Sequence, residues 1–78
     1  MNDLFIWPLS KREHEILSLK STGMEYKEIA ALLGIAPQTV KFHLRHVRLK
    51  FHESHATLHK VIAECFRTGY LDPFEEIV

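Results

Sequence analysis

Residues 33–51 read LGIAPQTVKFHLRHVRLKF, a break at Gly34 followed by one long amphipathic segment. Proline is preorganised for the first position of a helix and keeps its predecessor out of helical conformation, so Ala36-Pro37 predicts a helix from Pro37 to about Phe51. At helical spacing the segment divides into two faces. The side predicted to face the core carries Val40, His43, Leu44, Val47 and Phe51, and the opposite side carries Lys41, Phe42, Arg45, His46, Arg48 and Leu49.

Capping signals on either side of this segment predict three more helices. Ser10 and Glu13 form a capping box for a first helix over residues 11–21, and Gly34 ends a second helix over residues 26–33. Ser54 is the predicted N-cap of a fourth helix, which Gly69 closes. The side chains expected to face inward are Ile16, Leu17 and Leu19 in the first helix, Ile29, Ala30, Leu32 and Leu33 in the second, and Leu58, Val61, Ile62, Cys65 and Phe66 in the fourth.

The predicted fold class is all-α, a four-helix bundle that contains a helix-turn-helix. The 78 residues suffice for a single domain over residues 1–78, with its core in residues 9–71 and tails at residues 1–8 and 72–78. We expect the apolar tail residues Trp7, Phe74 and Ile77 to pack on the bundle. A domain this small has marginal stability on its own, which favours self-association.

Charge is unevenly distributed along a chain whose formal net charge is zero. From Leu9 to Gly69 there are ten lysines and arginines against six aspartates and glutamates, and residues 37–52 hold no acid at all. A basic, acid-free helix predicts a polyanionic partner. The single cysteine, Cys65, excludes an intramolecular disulfide and suits a reducing cytoplasm. Pro8 cuts the apolar run at residues 4–7 too short to span a membrane.

Enzymatic and metal chemistry find little support in the sequence. It contains neither a recognisable nucleophile–base pair nor a glycine-rich phosphate loop, so we expect no catalytic residues and no cofactor. His55 and His59 have the i,i+4 spacing of metal ligands, but neither a Cys-x-x-Cys motif nor a nearby carboxylate completes a set, so we expect no metal. His43, on the apolar face of its helix, is interpreted as a buried, hydrogen-bonded histidine.

Two short helices joined by residues 33–36, the second of them basic, predict a helix-turn-helix that binds double-stranded DNA. The major groove is wide enough for one α-helix, which presents its N-terminal half to the base edges.

Four short motifs occur along residues 9–71. They are Leu9-Ser10-Lys11-Arg12-Glu13, Gly23 with Lys27-Glu28-Ile29-Ala30, Thr39-Val40-Lys41-Phe42-His43, and Gly69-Tyr70-Leu71. In residue type and spacing they resemble the LuxR/FixJ/GerE family from Leu9 to Leu71, and among its members the stand-alone, GerE-like ones. Family members open on Leu-Thr/Ser-x-Arg-Glu and continue with Gly-x-x-x-Lys-Glu-Ile-Ala. Their recognition helix reads Thr-Val-Lys-x-His, and they close on Gly-Leu/Tyr-Leu.

The resemblance implies roles for individual residues. Family members contact bases through the positions of Lys41, Phe42 and Arg45, and phosphates through those of Lys27, Thr39 and His46. We expect Gln38 and Arg48 to contact phosphates as well. Many members dimerise through the fourth helix, whose outward side carries His59, Lys60, Ala63 and Glu64.

Several positions depart from the family pattern. Ala36 replaces a serine at the turn, which removes a side-chain cap worth ~1 kcal/mol. Glu25 replaces a small residue before the second helix, where an acid faces the phosphate backbone. His52-Glu53-Ser54 follows Lys50-Phe51 where the family has Gly, an aliphatic residue and soon an Arg.

Two functions remain open. The first is a sequence-specific transcriptional regulator that binds a two-fold operator as a homodimer. We expect a stand-alone effector domain, since a receiver or sensing domain does not fit within 78 residues. The other interpretation is a fragment of a larger regulator, against which Met1 argues. The alternative is a truncated family member that acts as a protein-interaction module. It would heterodimerise with a larger LuxR-type regulator or contact RNA polymerase.

Overall fold

The computed structural model describes residues 4–53 and 55–71, and these residues form four helices. The predicted all-α class is confirmed. The Ser10 hydroxyl accepts the Glu13 amide and the Glu13 carboxylate accepts the Ser10 amide, so the predicted capping box is present. In order, the helices are α1 (Lys11–Ser21), α2 (Tyr26–Leu33), α3 (Pro37–Lys50) and α4 (Leu58–Thr68).

The turn between α2 and α3 is set by one glycine. Gly34 adopts a left-handed backbone conformation (φ 69°), which residues with a Cβ rarely take. The amides of Gly34 and Ile35 both donate to the Ala30 carbonyl. α3 then starts at Pro37 after an extended Ala36. This turn holds the two helices of the predicted helix-turn-helix together.

α3 is the central helix of the domain, because α1, α2 and α4 all pack against it. Its Val40, Leu44 and Val47 are buried among Ile16, Leu17, Ile29, Val61 and Cys65 from the other helices. The same packing leaves one side of α3 in solvent along its whole length.

The N-terminal segment covers the end of α3. The Ile6 amide donates to the Lys50 carbonyl and the His52 amide to the Leu4 carbonyl, an antiparallel β-bridge that brings the Phe5 and Phe51 rings within 5.6 Å. Leu4 is buried. Trp7, which we expected to pack on the bundle, is 64% exposed, so that prediction is wrong. Phe74 and Ile77 lie outside the described residues.

Three further sequence predictions need correction. Thr57 is the N-cap of α4, where its hydroxyl accepts the Lys60 amide; Ser54, the predicted cap, lies outside the described residues. Leu32 is 62% exposed because it stands just beyond the buried stripe of α2. His43, predicted to be buried, is half-buried at the edge of the core stripe of α3.

None of the helices in residues 4–53 and 55–71 is long and apolar enough to cross a membrane.

Candidate nucleic-acid interface

The solvent-facing side of α3 carries the residues that the sequence predicted to contact DNA. Lys41, Phe42 and Arg45 are exposed, and the Phe42 side chain retains 55% of its accessible surface. They lie opposite the buried Val40 and Leu44, so the helix cannot turn them inward without exposing its core stripe. Gln38, Thr39 and Arg48 are also exposed on α3, His46 is half-buried there, and Lys27 is exposed on α2.

The N-terminus of α3 lacks a side-chain cap. Ala36 provides its carbonyl to the amides of Thr39 and Val40, at 2.9 and 3.3 Å, but it has no side-chain oxygen to offer. A helix N-terminus carries a partial positive charge and attracts anions. Because no acid lies in the first turn of α3, its dipole and the Lys41 ammonium act in the same direction.

The N-terminus of α2 has the opposite electrostatic character. Its N-cap is Glu25, whose amide donates to the Glu28 carboxylate at 2.8 Å. Glu25 and Glu28 thus bring two negative charges to the same helix end as Lys27. These charges weaken the positive potential where the resemblance implies a phosphate contact.

Tyr26 supports Lys41 and was not identified from the sequence. The Lys41 ammonium lies 5.6 Å from the centroid of the Tyr26 ring, and the Lys20 ammonium lies 4.9 Å from it. A cation over an aromatic face is held by the ring quadrupole, which contributes about 0.5–1 kcal/mol at an exposed site. The ring thus favours a position of the Lys41 ammonium close to α2. The sequence signal that was available for this contact is the aromatic residue at the first position of α2, which precedes a basic helix.

Phe42 is in contact with His46, one helical turn further along α3. Their ring centroids are 4.2 Å apart with an interplanar angle of 54°. His46 keeps 42% of its side-chain surface accessible, so it borders both Phe42 and solvent.

A buried carboxylate anchors the other end of α3. Glu13 of α1 is only 4% exposed, and its Oε1 accepts the Lys50 ammonium at 2.5 Å and the Ser10 amide at 2.8 Å. Its Oε2 lies 3.9 Å from Nδ1 of His46. Burial raises the pKa of the Glu13 carboxyl, but hydrogen bonds from Lys50 and Ser10 outweigh this and bring the pKa below its ordinary value. The sequence identified Glu13 as a capping residue and missed its ion pair.

Arg48, predicted to contact phosphate, also makes a hydrogen bond within the domain. Its Nε donates to the Ala56 carbonyl at 3.3 Å, which ties the second half of α3 to the loop before α4. Its side chain is otherwise exposed.

The outward side of α4 carries two ion pairs around Ala63. Lys60 contacts Glu53 at 2.8 Å and Arg67 contacts Glu64 at 2.6 Å. The hydrogen bond from Arg67 lowers the pKa of the Glu64 carboxyl. Beside Ala63, an open groove of about 590 Å³ separates α4 from the end of α1. The groove is lined by Lys20, Ser21, Gly23, Leu58, His59, Ile62, Ala63 and Phe66.

The described residues offer few groups suited to catalytic or metal chemistry. In residues 4–53 and 55–71, no three His, Cys, Asp or Glu side chains come close enough to hold a metal ion. Cys65 is fully buried, and burial raises the pKa of its thiol to about 11. A thiol that stays protonated at neutral pH is a poor nucleophile.

A turn with Gly34 in the left-handed conformation joins α2 to α3, and α3 presents a basic side to solvent. Together these features define a helix-turn-helix domain. The sequence profile described as "Bacterial regulatory proteins, luxR family" matches residues 7–58, and the chain belongs to this family.

Curated relatives are regulators several times longer than the chain. The transcriptional activator protein EsaR of Pantoea stewartii subsp. stewartii is 49% identical over 47 residues, which are 60% of this chain and 19% of that protein. The transcriptional regulatory protein UhpA of Escherichia coli is 50% identical over 36 residues, 46% of this chain and 18% of UhpA. The quorum-sensing regulator RhlR of Pseudomonas aeruginosa is 42% identical over 50 residues, 64% of this chain and 21% of RhlR. The chain thus spans about a fifth of these proteins, and no solved structure matches it significantly.

Proposed function

We propose that this domain binds double-stranded DNA with α3 in the major groove and thereby regulates transcription. The observation that carries the proposal is the exposed side of α3. It presents Lys41, Phe42 and Arg45 together in an acid-free helix whose opposite side is locked into the core. Lysine and arginine suit the acceptor edge of guanine, and an apolar ring suits the methyl group of thymine.

Phosphate contacts surround this reading face in the proposal. Gln38 and Thr39 sit in the first turn of α3, where a phosphate meets both their side chains and the positive end of the helix dipole. Lys27 of α2, with His46 and Arg48 further along α3, would contact the flanking backbone. Such contacts fix the register of a protein on the duplex without reading its sequence.

The domain acts as a homodimer in this proposal, because one helix-turn-helix reads few base pairs. Paired half-sites require recognition helices one helical turn of DNA apart. We assign the interface to the outward side of α4, at His59, Lys60, Ala63 and Glu64. The small side chain of Ala63 allows close approach. Its charged neighbours Lys60 and Glu64 hold exposed ion pairs within the chain, which a two-fold partner would replace with pairs across the interface. The adjoining groove exposes part of Leu58, Ile62 and Phe66 and extends the apolar surface available to a second copy.

A second candidate function is a protein-interaction module that binds a larger LuxR-type regulator or RNA polymerase. The carboxylates of Glu25 and Glu28 beside Lys27 favour it, because they repel a phosphate backbone. The same groove on α4 would then take the heterologous partner.

Under the first proposal, a regulator that binds DNA, the protein would work in the cytoplasm.

The experiment that separates the two is selection of duplexes from a randomised library by the purified chain, followed by affinity measurements at several salt concentrations. The proposal predicts an enriched two-fold motif and an affinity that falls steeply with salt, because phosphate contacts release counterions. An unenriched library, with no salt-dependent binding, would contradict DNA binding and favour the interaction module.

A further inference from the structure

Among the exposed residues of the reading face, Phe42 combines an apolar side chain with a direct contact to another ring. Side chains on a helix lean toward its N-terminus, so His46 reaches back onto the residue four positions earlier. The 4.2 Å separation of the two ring centroids is direct contact. A phenylalanine that is 55% exposed has lost its freedom to rotate through the space that the imidazole occupies.

His46 also lies beside a fixed group of the core. Its Nδ1 is 3.9 Å from Oε2 of Glu13, beyond hydrogen-bond distance and an ion pair only while the imidazole is protonated. The Glu13 carboxylate itself is fixed by its bonds from Ser10 and Lys50. Glu13 belongs to the first turn of α1 and is almost completely buried. The imidazole of His46 therefore lies between a fixed carboxylate of the core and the exposed ring of Phe42, and it is in direct contact with that ring.

From this arrangement we propose that His46 is a positioning residue for base selection, which holds the Phe42 ring where it contacts the methyl group of one thymine in each half-site. The inference rests on the proposed function and deepens it. A phosphate contact by His46 would contribute equally to every sequence. A positioning role contributes only where the base opposite Phe42 carries a methyl group.

The contribution of the contact between the Phe42 ring and a thymine methyl group to affinity can be calculated. Burial of one methyl group against an aromatic ring contributes about fourfold in affinity. The full preference for thymine over cytosine at this position requires the ring to be in place before binding, because ordering a free side chain on association offsets the gain. Loss of the His46 ring should reduce the preference toward onefold.

Two substitutions of His46 distinguish positioning from phosphate contact. His46→Asn keeps a short polar side chain but removes the ring that packs on Phe42. His46→Phe keeps a ring of similar size and removes both nitrogens. Phe42→Ala serves as the reference, because it removes the reading ring itself. The selected duplex motif is determined for the parent and for the three variants, and each variant is checked for helicity and thermal unfolding.

The inference predicts that Phe42→Ala and His46→Asn flatten the same single base position in each half-site, whereas His46→Phe retains the thymine preference even where its overall affinity falls. A selective parent whose preference at that position survives His46→Asn would overturn the inference and leave the proposed function intact. A parent that selects no motif would overturn both.

A measurement without DNA provides a second test. In the free protein, removal of a ring 4.2 Å away should shift the ring-proton resonances of Phe42 in His46→Asn and restore averaging over its rotamers. Unchanged Phe42 resonances would show that the imidazole does not hold the ring, and the inference would fail whatever the DNA result.

Discussion

Replacement of Glu13 by glutamine tests whether the buried ion pair holds α3 against α1. Glutamine has nearly the same shape as glutamate and keeps a carbonyl acceptor for the Ser10 amide, so the change removes the charge and little else. Lys50 would then lose its carboxylate partner at 2.5 Å but keep its bond to the Pro8 carbonyl at 3.2 Å.

The size of the effect follows from the burial of the two groups. Breaking a fully buried ion pair costs about 3–5 kcal/mol, and losing an exposed one costs about 0–1 kcal/mol. Glu13 is 6% exposed in its side chain, but Lys50 is 26% exposed and can recruit water. We therefore expect Glu13→Gln to lower the free energy of unfolding by about 2 kcal/mol. For a domain of this size, that corresponds to roughly 10 °C in the midpoint of thermal unfolding.

The matched control is Glu15→Gln on the same helix. Glu15 pairs with Arg12 at 2.9 Å, but both side chains are nearly half exposed, so its loss should cost less than about 0.5 kcal/mol. Urea unfolding of the parent and both variants, followed by circular dichroism at neutral pH, measures the difference. Equal losses in the two variants would refute a special role for the buried pair.

The same pair predicts a pH dependence whose sign is fixed. The pKa of Glu13 in the folded protein lies below its ordinary value of 4.5, because Lys50 and Ser10 outweigh the effect of burial. The stabilisation is therefore fully present above pH 4.5 and is lost as the pH falls through the lower folded value. The difference in unfolding free energy between parent and Glu13→Gln should narrow over that acidic range. A difference that stays constant there would contradict the ion pair.

Three further substitutions or reactions follow from the site. Ala63→Glu should weaken self-association in sedimentation, because it places a charge at the centre of the proposed interface; parent-like sedimentation would exclude that surface. The buried Cys65 thiol, with a pKa of about 11, should resist alkylation at pH 8 in the folded protein and react on unfolding, and rapid labelling of the native protein would contradict its burial. Tyr26→Ala should weaken DNA binding about two- to fivefold by releasing Lys41, whereas Tyr26→Phe, which keeps the ring, should not; equal losses would remove Tyr26 from the site.

Local signals in the sequence were sufficient for most of the fold. The capping box at Ser10, the glycine at position 34 and the proline at position 37 each mark a helix end through the backbone of a few neighbouring residues. For that reason the predicted bounds of α1 and α2 are confirmed, and α3 ends at Lys50 with Phe51 as its C-cap. Their physical causes act over one helical turn, which is the range a sequence pattern covers.

The misassigned start of α4 has a long-range cause. Ser54 and Thr57 are both acceptable caps by residue type, and the choice between them depends on the loop that precedes the helix. Arg48 of α3 donates to the Ala56 carbonyl, and the Ala56 amide donates to Glu53, so Ala56 is held in a turn and α4 begins after it. No pattern within the loop announces a contact with α3.

The candidate site was likewise predictable only where local pattern sufficed. Helical periodicity alone separated the exposed Lys41, Phe42 and Arg45 from the core stripe. It did not identify the contacts made by Tyr26 and Glu13, because Tyr26 contacts Lys41 across two helices and Glu13 contacts Lys50 across 37 positions. Burial of Glu13 depends on the packing of α1 on α3, and the capping box alone, with Glu13 three positions after Ser10, does not indicate that packing.

The proposal that α3 reads DNA bases is tested most directly by Arg45→Ala, with Lys11→Ala as the matched control. Both substitutions remove one exposed cation, from the reading face of α3 in one case and from the start of α1 in the other. Affinity is measured for the selected duplex and for a scrambled duplex of the same length and composition, at one salt concentration. We predict that Arg45→Ala loses about 1–3 kcal/mol on the selected duplex and much less on the scrambled one, while Lys11→Ala changes neither appreciably. Equal losses on the two duplexes, or equal losses for the two variants, would contradict base reading by α3.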